Sequence, residues 1–145
     1  MKNIFKLAAI ICVALTVLSG CAVNRATASV DPGTNLATLK TMYVKRIPED
    51  DNTYNLIADK LRSKGVVVTT GTEAPPSGID AIVTYIDKWM WDITMYMLEL
   101  TITLRDPKTD FPLATGNSFH TSLTRLSPTE MVNEVVENIY KGGAK

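Results

Sequence analysis

The sequence predicts an α+β fold, a mostly antiparallel sheet of four to five strands with two helices packed on one face. Residues 94–105 alternate apolar and polar side chains with a period of two, which is typical of a half-buried antiparallel strand. Residues 54–61 and 131–140 instead carry apolar side chains at helical spacing. Because most of the predicted strands follow one another along the chain, we expect sequential antiparallel pairing with the helices on one side.

The first half of the domain reads as strand, helix and strand. Residues 38–47 alternate imperfectly and predict the first strand. Asn52 is a suitable N-cap for the helix that follows, and Gly65 is a suitable stop. The run VVVTT at 66–70 is β-branched throughout and predicts a short buried strand.

The second half contains three further strands. Residues 79–87 carry apolar side chains on both faces, which predicts a central position in the sheet. The fourth strand covers 94–105, and the turn DPKTDFP follows it. Within that turn, Asp110 is able to adopt the left-handed conformation that such loops need. Residues 113–123 form the fifth strand.

A strong capping signal opens the last helix. Ser127 is a suitable N-cap, Pro128 occupies the first helical position, and Glu130 stands three residues after the cap. An apolar stripe over 131–140 follows, and Gly142 is near the end of the segment. These features predict an amphipathic helix that covers the sheet.

The amino terminus carries an export signal. The chain begins MKNIFK, continues with an apolar block of about half the length that a membrane-spanning helix requires, and reaches small residues before Cys21. Residues 1–20 therefore read as a signal peptide. Leu-Ser-Gly-Cys at 18–21 resembles a bacterial lipobox, which implies that the Cys21 thiol receives a diacylglycerol and that its new amino group receives a third acyl chain. Two or three acyl chains hold a protein firmly on a membrane.

This interpretation divides the chain into three parts. Residues 1–20 are the lipoprotein signal peptide, residues 21–37 are the lipidated terminus and a flexible tether, and residues 38–145 form one periplasmic domain. For residues 22–37 the alternative is a first irregular strand laid on the fold. Ala22 stands where aspartate is the usual inner-membrane retention signal, so the resemblance favours the outer membrane, facing the periplasm.

Composition excludes several classes of function. Of the two cysteines, Cys12 lies in the signal peptide and Cys21 takes the lipid, so no disulfide or thiolate metal site is expected. After cleavage, acidic residues slightly outnumber basic ones, and a near-neutral surface of this kind offers no footprint for nucleic acid. We expect no metal and no cofactor besides the covalent lipid.

Two motifs carry a wider resemblance. Residues 80–92 fit the pattern DA-V-Y-D-W-WD, and residues 106–114 fit D-KT-G--LA, with Asp110 where glycine is common. Together with the lipobox, these motifs resemble a family of small bacterial envelope lipoproteins, and the likeness covers most of residues 38–141. It implies an α+β envelope domain and supplies no catalytic residues.

The run KWMWDITMYMLEL is the one dense apolar segment with a candidate function. Strand parity places Trp89 and Trp91 on one face. If Tyr96, Leu98 and Leu100 define the core face of the next strand, Met95 and Met97 point outward. The run as a whole either packs beneath the helices or forms an apolar surface for a partner or lipid. The candidate surface consists of Trp89, Trp91, Met95 and Met97.

His120 is the chain's only histidine and the only candidate general base. The fifth strand is expected to place it with Ser118 and Ser122 on the face opposite Leu113 and Phe119. A hydrolase would need a nucleophile and an orienting acid around this histidine. Nothing in the sequence brings such a set together, so a surface or packing role is the simpler interpretation.

These observations predict a non-enzymatic, membrane-anchored periplasmic lipoprotein. We expect it to be an accessory or docking component of an envelope assembly or transport system, with an envelope protein as its partner. The alternative is a small module that binds lipid or another hydrophobic ligand. A hydrolase that depends on His120 is the third possibility.

Overall fold

Six strands and two helices build the domain. The computed structural model describes residues 24–49 and 52–143. The strands are β1 (Asn24–Val30), β2 (Thr41–Lys45), β3 (Val67–Gly71), β4 (Ala81–Asp92), β5 (Thr94–Arg105) and β6 (Pro112–His120), and the helices are α1 (Thr53–Ser63) and α2 (Pro128–Gly143). The α+β class is as the sequence predicted. The predicted signal peptide and the lipidation site Cys21 lie outside the described residues, so both remain predictions.

The sheet is mixed, with the strand order β1-β6-β5-β4-β2-β3. Strand β2 pairs in parallel with β3 and β4, whereas the other pairs are antiparallel. The expectation of four to five mostly antiparallel strands was therefore too simple. Because α1 connects two parallel strands, it crosses back over the sheet, as such connections require. Strand β3 is an edge strand, and Val67 is exposed rather than buried.

Strand β1 corrects the predicted tether. Its seven residues lie within the range 21–37, and they pair antiparallel with β6 from Asn24 opposite His120 to Val30 opposite Ala114. The ladder satisfies backbone groups along one side of the strand, while nearly all its side chains stay exposed. Leu36, in the same range, is buried. A sequence that is small and polar can thus form an edge strand without any apolar pattern.

The core lies between the sheet and both helices. Leu100, Ile102 and Leu104 of β5 are buried, in agreement with the predicted core face of that strand. Helix α2 packs its predicted stripe against them. Its capping box is also as predicted, because the Ser127 backbone N–H donates to the Glu130 carboxylate at 2.8 Å and Ser127 Oγ accepts from the Glu130 N–H at 3.3 Å.

The helix-facing side of β6 differs from the prediction. Ala114, Gly116, Ser118 and His120 face α2, and Ser118 and His120 are buried. The reason is close packing, since a Cβ added at Gly116 would lie 2.8 Å from side-chain carbons of α2. Small residues on this face let the helix approach the strand more closely than a row of large apolar residues would.

Both helices begin at the same end of the sheet. Strands β2, β4 and β6 run in one direction, and α1 and α2 run back against it. Near its start α2 contacts Ser118 through Met131, whereas Gly142 near its end lies close to Val30. The hairpin between β4 and β5 extends from the end of the sheet where the helices start.

Candidate functional site

Strands β4 and β5 continue beyond their neighbours as a two-stranded ribbon. Pairing of β4 with β2 ends at Val83, and pairing of β5 with β6 ends at Glu99. Residues 89–98 therefore have only each other as strand partners within the described chain. Five residues beyond Lys88, at about 3.3 Å per residue, give the ribbon a reach of about 16 Å.

A β-bulge at the base of the ribbon brings the four predicted site residues onto one face. Lys88 lies opposite Glu99, but Trp89 lies opposite Met97, so one residue of β5 has no partner across the ladder. The next pair on the same face is Trp91 and Met95. Since the extra residue resets the alternation of β5, this face is continuous with the helix-covered face of the sheet.

Met97 is the exception among the predicted surface residues. It is fully buried, whereas Trp89, Trp91 and Met95 are 45%, 69% and 59% exposed. The expectation that Met97 points outward assumed an unbroken alternation from Leu100, and the bulge overturns it. Tyr96, by contrast, is buried on the other face of the ribbon. The candidate surface therefore loses Met97 to the core.

Two residues that the sequence analysis did not select complete the exposed surface. Met90 is 45% exposed, and Ile93, at the turn of the hairpin, is 86% exposed. Ile93 has a φ of 57°, which is rare for a β-branched residue and is strained by about 1–2 kcal/mol. We call Trp89, Met90, Trp91, Ile93 and Met95 the apolar tip.

Arg125 contacts the ribbon at Thr94, Tyr96 and Asp92. One guanidinium nitrogen donates to Thr94 Oγ1 at 2.9 Å, and the guanidinium carbon lies 4.8 Å from the centre of the Tyr96 ring. A second nitrogen lies 4.0 Å from the Asp92 carboxylate. These contacts tie the ribbon to the loop before α2. The isolated position of Arg125 gives no signal in the sequence that could have revealed them.

Asp87 fixes the opposite side of the ribbon. One oxygen of its carboxylate accepts from Thr53 Oγ1 at 2.9 Å and from the Trp89 indole N–H at 3.1 Å. The first residue of α1 and the first tryptophan of the tip therefore share one acceptor. This satisfies the polar atom of Trp89 and leaves its ring half-exposed.

A groove of about 670 Å³ lies between the tip and the starts of both helices. Apolar side chains on its walls are Ile47, Leu56, Trp89, Met95 and Pro128. The groove adjoins the tip, because Trp89 and Met95 belong to both, and its remaining lining residues are polar or charged: Glu49, Asn52, Thr53, Asp87 and Thr129. The apolar side chains of this surface can bind apolar groups.

Charged groups mark the base of the ribbon. Lys88 Nζ lies 2.7 Å from the Glu99 carboxylate, and Arg25 of β1 lies 3.8 Å from the same group. Hydrogen bonds from Lys88 and then from Asn117 hold the pKa of Glu99 below its usual range. A row of paired charges therefore separates the apolar tip from the rest of the sheet.

His120 lies in a buried polar cluster away from the tip. Nε2 is 2.9 Å from Glu134 Oε2, and Nδ1 is 2.9 Å from the Thr124 carbonyl oxygen. The Ser118 hydroxyl donates to the same Glu134 oxygen rather than to the histidine. Because both ring nitrogens face oxygen acceptors, neither receives a proton from Ser118. The arrangement cross-links β6 to α2 and lacks the geometry of a nucleophile with its base.

Neither described helix has the length and apolar character needed to cross a bilayer. Within residues 24–49 and 52–143, no three histidine, cysteine or acidic side chains are grouped in a way that could hold a metal ion.

The fold is shared with several bacterial proteins of very different sequence. No protein-family model matches the chain, and no curated protein sequence matches it. The PelC dodecamer from Paraburkholderia phytofirmans contains a chain that is 11% identical, with a TM-score of 0.56 over 85% of this chain and 99% of that chain. TolB from Acinetobacter baumannii is 14% identical, with a TM-score of 0.51 over 83% of this chain and 31% of TolB. At these identities the similarity concerns the fold alone.

Proposed function

We propose that the protein is a non-enzymatic, lipid-anchored accessory protein of the bacterial envelope that docks through its apolar tip. The exposed tip carries this proposal. Five large apolar side chains are exposed on an extended ribbon, four of them at its turn or on the face of Trp89, and Ile93 occupies a strained backbone position at its end. Exposed apolar groups held in one place mark binding surfaces more often than scattered ones do.

The anchor is the second part of the proposal. The lipobox predicts acyl chains on Cys21, and the outer membrane facing the periplasm is the proposed location. An accessory role in envelope assembly or transport fits a domain that presents an apolar surface beside its anchor. Both ring nitrogens of His120 contact oxygen acceptors, and Ser118 is buried. These observations agree with a protein that has no catalytic centre in this cluster.

Cross-linking in intact cells tests the docking surface. We expect Trp91→Ala and Met95→Ala to remove cross-linked products that the unaltered protein forms, because both side chains are exposed in the tip. Phe111→Ala is the matched control, since Phe111 is also an exposed apolar residue but lies in the turn between β5 and β6. Product patterns that are identical in all three variants would contradict the proposed surface.

The masses of the cross-linked products should also be compared with multiples of the mass of the chain itself. One solved chain of the same fold forms a dodecamer, PelC from Paraburkholderia phytofirmans.

The anchor has its own test, because Cys21→Ser is expected to abolish incorporation of labelled fatty acid and to release soluble precursor. Unchanged membrane fractionation of that variant would contradict lipidation.

The groove supports a second candidate function, a small module that binds lipid or another hydrophobic ligand. A space of about 670 Å³, with apolar residues as half of its described lining, falls in the size range of ligand sites. Mass spectrometry of lipid that co-purifies with the protein distinguishes this function. Stoichiometric lipid that is lost in Leu56→Asp and retained in Phe111→Asp would favour it over docking.

A further inference from the structure

The start of β1 and the apolar tip lie at the same end of the sheet. Arg25 is opposite Phe119, Phe119 is opposite Glu99, and Glu99 is opposite Lys88, so these four residues form one row across the sheet. From this row the ribbon extends forward to Ile93. Followed from Arg25 toward the amino terminus, β1 extends from the same row in the same direction as the ribbon and begins at Asn24.

Chain length limits how far Cys21 can be from the tip. Arg25 is the fourth residue after Cys21, and four residue steps span at most about 14 Å in any conformation. Ile93 lies five residues beyond Lys88, or about 16 Å along the ribbon. An acylated Cys21 therefore holds the row at Arg25 and Lys88 close enough to the membrane for the ribbon to reach it.

Other exposed apolar residues belong to the same end. Leu123, which follows β6, is 85% exposed, and Ile47, which follows β2, is 38% exposed. Asp92, the acidic residue of the turn, has Arg125 at 4.0 Å. The first row of charged groups behind the tip is the cluster of Lys88, Glu99 and Arg25. Apart from the pair of Asp92 and Arg125, the apolar residues therefore precede the paired charges, which is the order from acyl chains to headgroups.

We propose that the apolar tip inserts into the lipid leaflet that holds the acyl chains of Cys21. The inference rests on the anchor of the proposed function and identifies the lipid leaflet as the surface on which the tip docks. Cross-linked protein products then depend on Trp91 and Met95 because insertion orients the domain toward its partners. A tether of at most 14 Å or so keeps the leaflet at high effective concentration around the ribbon, an advantage that no freely diffusing protein partner has. Tryptophan and methionine suit the boundary between water and acyl chains.

Insertion also orients the domain. An acyl anchor alone fixes one point of the chain and does not set the orientation of the domain on the membrane. With the ribbon as a second contact, the strands stand upright on the membrane, and the turn at Phe111 points away from it. The open face of the sheet, with Thr84, Thr101 and Thr103, is then left accessible to protein partners.

Tryptophan fluorescence tests the inference directly, because Trp89 and Trp91 are the only tryptophans in the chain. The purified acylated protein is reconstituted into phosphatidylethanolamine and phosphatidylglycerol vesicles whose acyl chains carry bromine just below the headgroups. We expect bromine to quench Trp91 strongly in Trp89→Phe. In Trp91→Phe, Trp89 is expected to be quenched less, since it lies nearer the base of the ribbon.

The matched control moves the probe to the opposite end of the sheet. A variant with Trp89→Phe, Trp91→Phe and Phe111→Trp is expected to show no quenching. Ile93→Asp places a charge at the end of the tip and is expected to reduce quenching of Trp91, whereas Phe111→Asp leaves it unchanged. Far-UV circular dichroism of each variant checks that the fold is retained.

Two different failures are distinguishable by flotation of the vesicles. Protein that floats with the vesicles but shows no quenching at Trp91, or equal quenching at position 111, would overturn insertion and leave the anchor intact. Protein that does not float would overturn the anchor, and with it both the proposed function and insertion. Flotation with quenching confined to the ribbon supports both.

Discussion

Met95 and Met97 provide the sharpest test of the structure. Both lie on the same face of the ribbon, but Met97 is fully buried opposite Trp89, whereas Met95 is 59% exposed opposite Trp91. Truncation of a buried methionine to alanine removes its packing and leaves a cavity, which costs about 2–5 kcal/mol. Truncation of an exposed side chain usually changes stability by less than about 0.5 kcal/mol.

We therefore expect Met97→Ala to lower the free energy of unfolding by about 3 kcal/mol and Met95→Ala to leave it nearly unchanged. Since small domains are stable by about 5–15 kcal/mol, the first variant loses a large share of its stability. Urea unfolding, followed by far-UV circular dichroism in the detergent that keeps the acylated protein in solution, measures both values.

Met97→Leu is the control for this comparison. It preserves apolar volume and is expected to cost less than about 1.5 kcal/mol. Equal losses in Met95→Ala and Met97→Ala would refute the bulged register, because an unbroken alternation gives the two methionines the same exposed environment. A binding experiment with Met97→Ala would report on folding, so the docking surface is better tested through Trp91 and Met95.

Three further predictions concern backbone strain, helix packing and pH. Ile93→Gly is expected to raise the melting temperature. It relieves about 1–2 kcal/mol of strain in the left-handed conformation and loses about 0.5–1 kcal/mol because glycine gives the unfolded chain more freedom. A melting temperature below that of the unaltered protein would contradict this. Gly116→Ala is expected to cost about 1–3 kcal/mol in urea unfolding, because its Cβ would lie 2.8 Å from α2 side chains, whereas Gly142→Ala, with 3.5 Å available, is the near-neutral control. Hydrogen bonds from Lys60 and Lys64 lower the pKa of Glu137 to about 2, so the stabilisation is fully present above about pH 4.5 and is lost as pH falls toward 2. Glu137→Gln should therefore destabilise modestly at pH 7, by less than about 1 kcal/mol because the group is partly exposed, and its stability should approach that of the unaltered protein as pH falls through 2.

Local patterns predicted the elements whose signals are contained in a few neighbouring residues. Strand β5 covers the predicted residues 94–105, and the capping box starts α2 where Ser127 indicated. Asp110 adopts the predicted left-handed conformation with a φ of 59°. Each of these features depends on side-chain alternation or on backbone chemistry within one turn, and both are readable from a single segment.

Features that depend on contacts between distant segments could not be predicted in this way. Strand β1 has almost no buried side chains, so only its pairing with β6 reveals it. The burial of His120 follows from the close approach of α2 to Gly116, and Glu134 became its partner only through that packing. The bulge beside Lys88 leaves no mark in the composition of β5, because either register offers apolar residues to the core.

The bulge also explains why one sequence run contributes both to the core and to the exposed apolar tip. In an unbroken strand, Met95 and Met97 would point to the face of the sheet that the helices do not cover. The two tryptophans would then have no methionine beside them on their own face. With the extra residue, Met97 closes the core beneath Trp89, and Met95 joins Trp91 in the exposed part of the same face. The core thus fixes the direction in which the tip extends, and β1 begins, at Asn24, at the same end of the sheet.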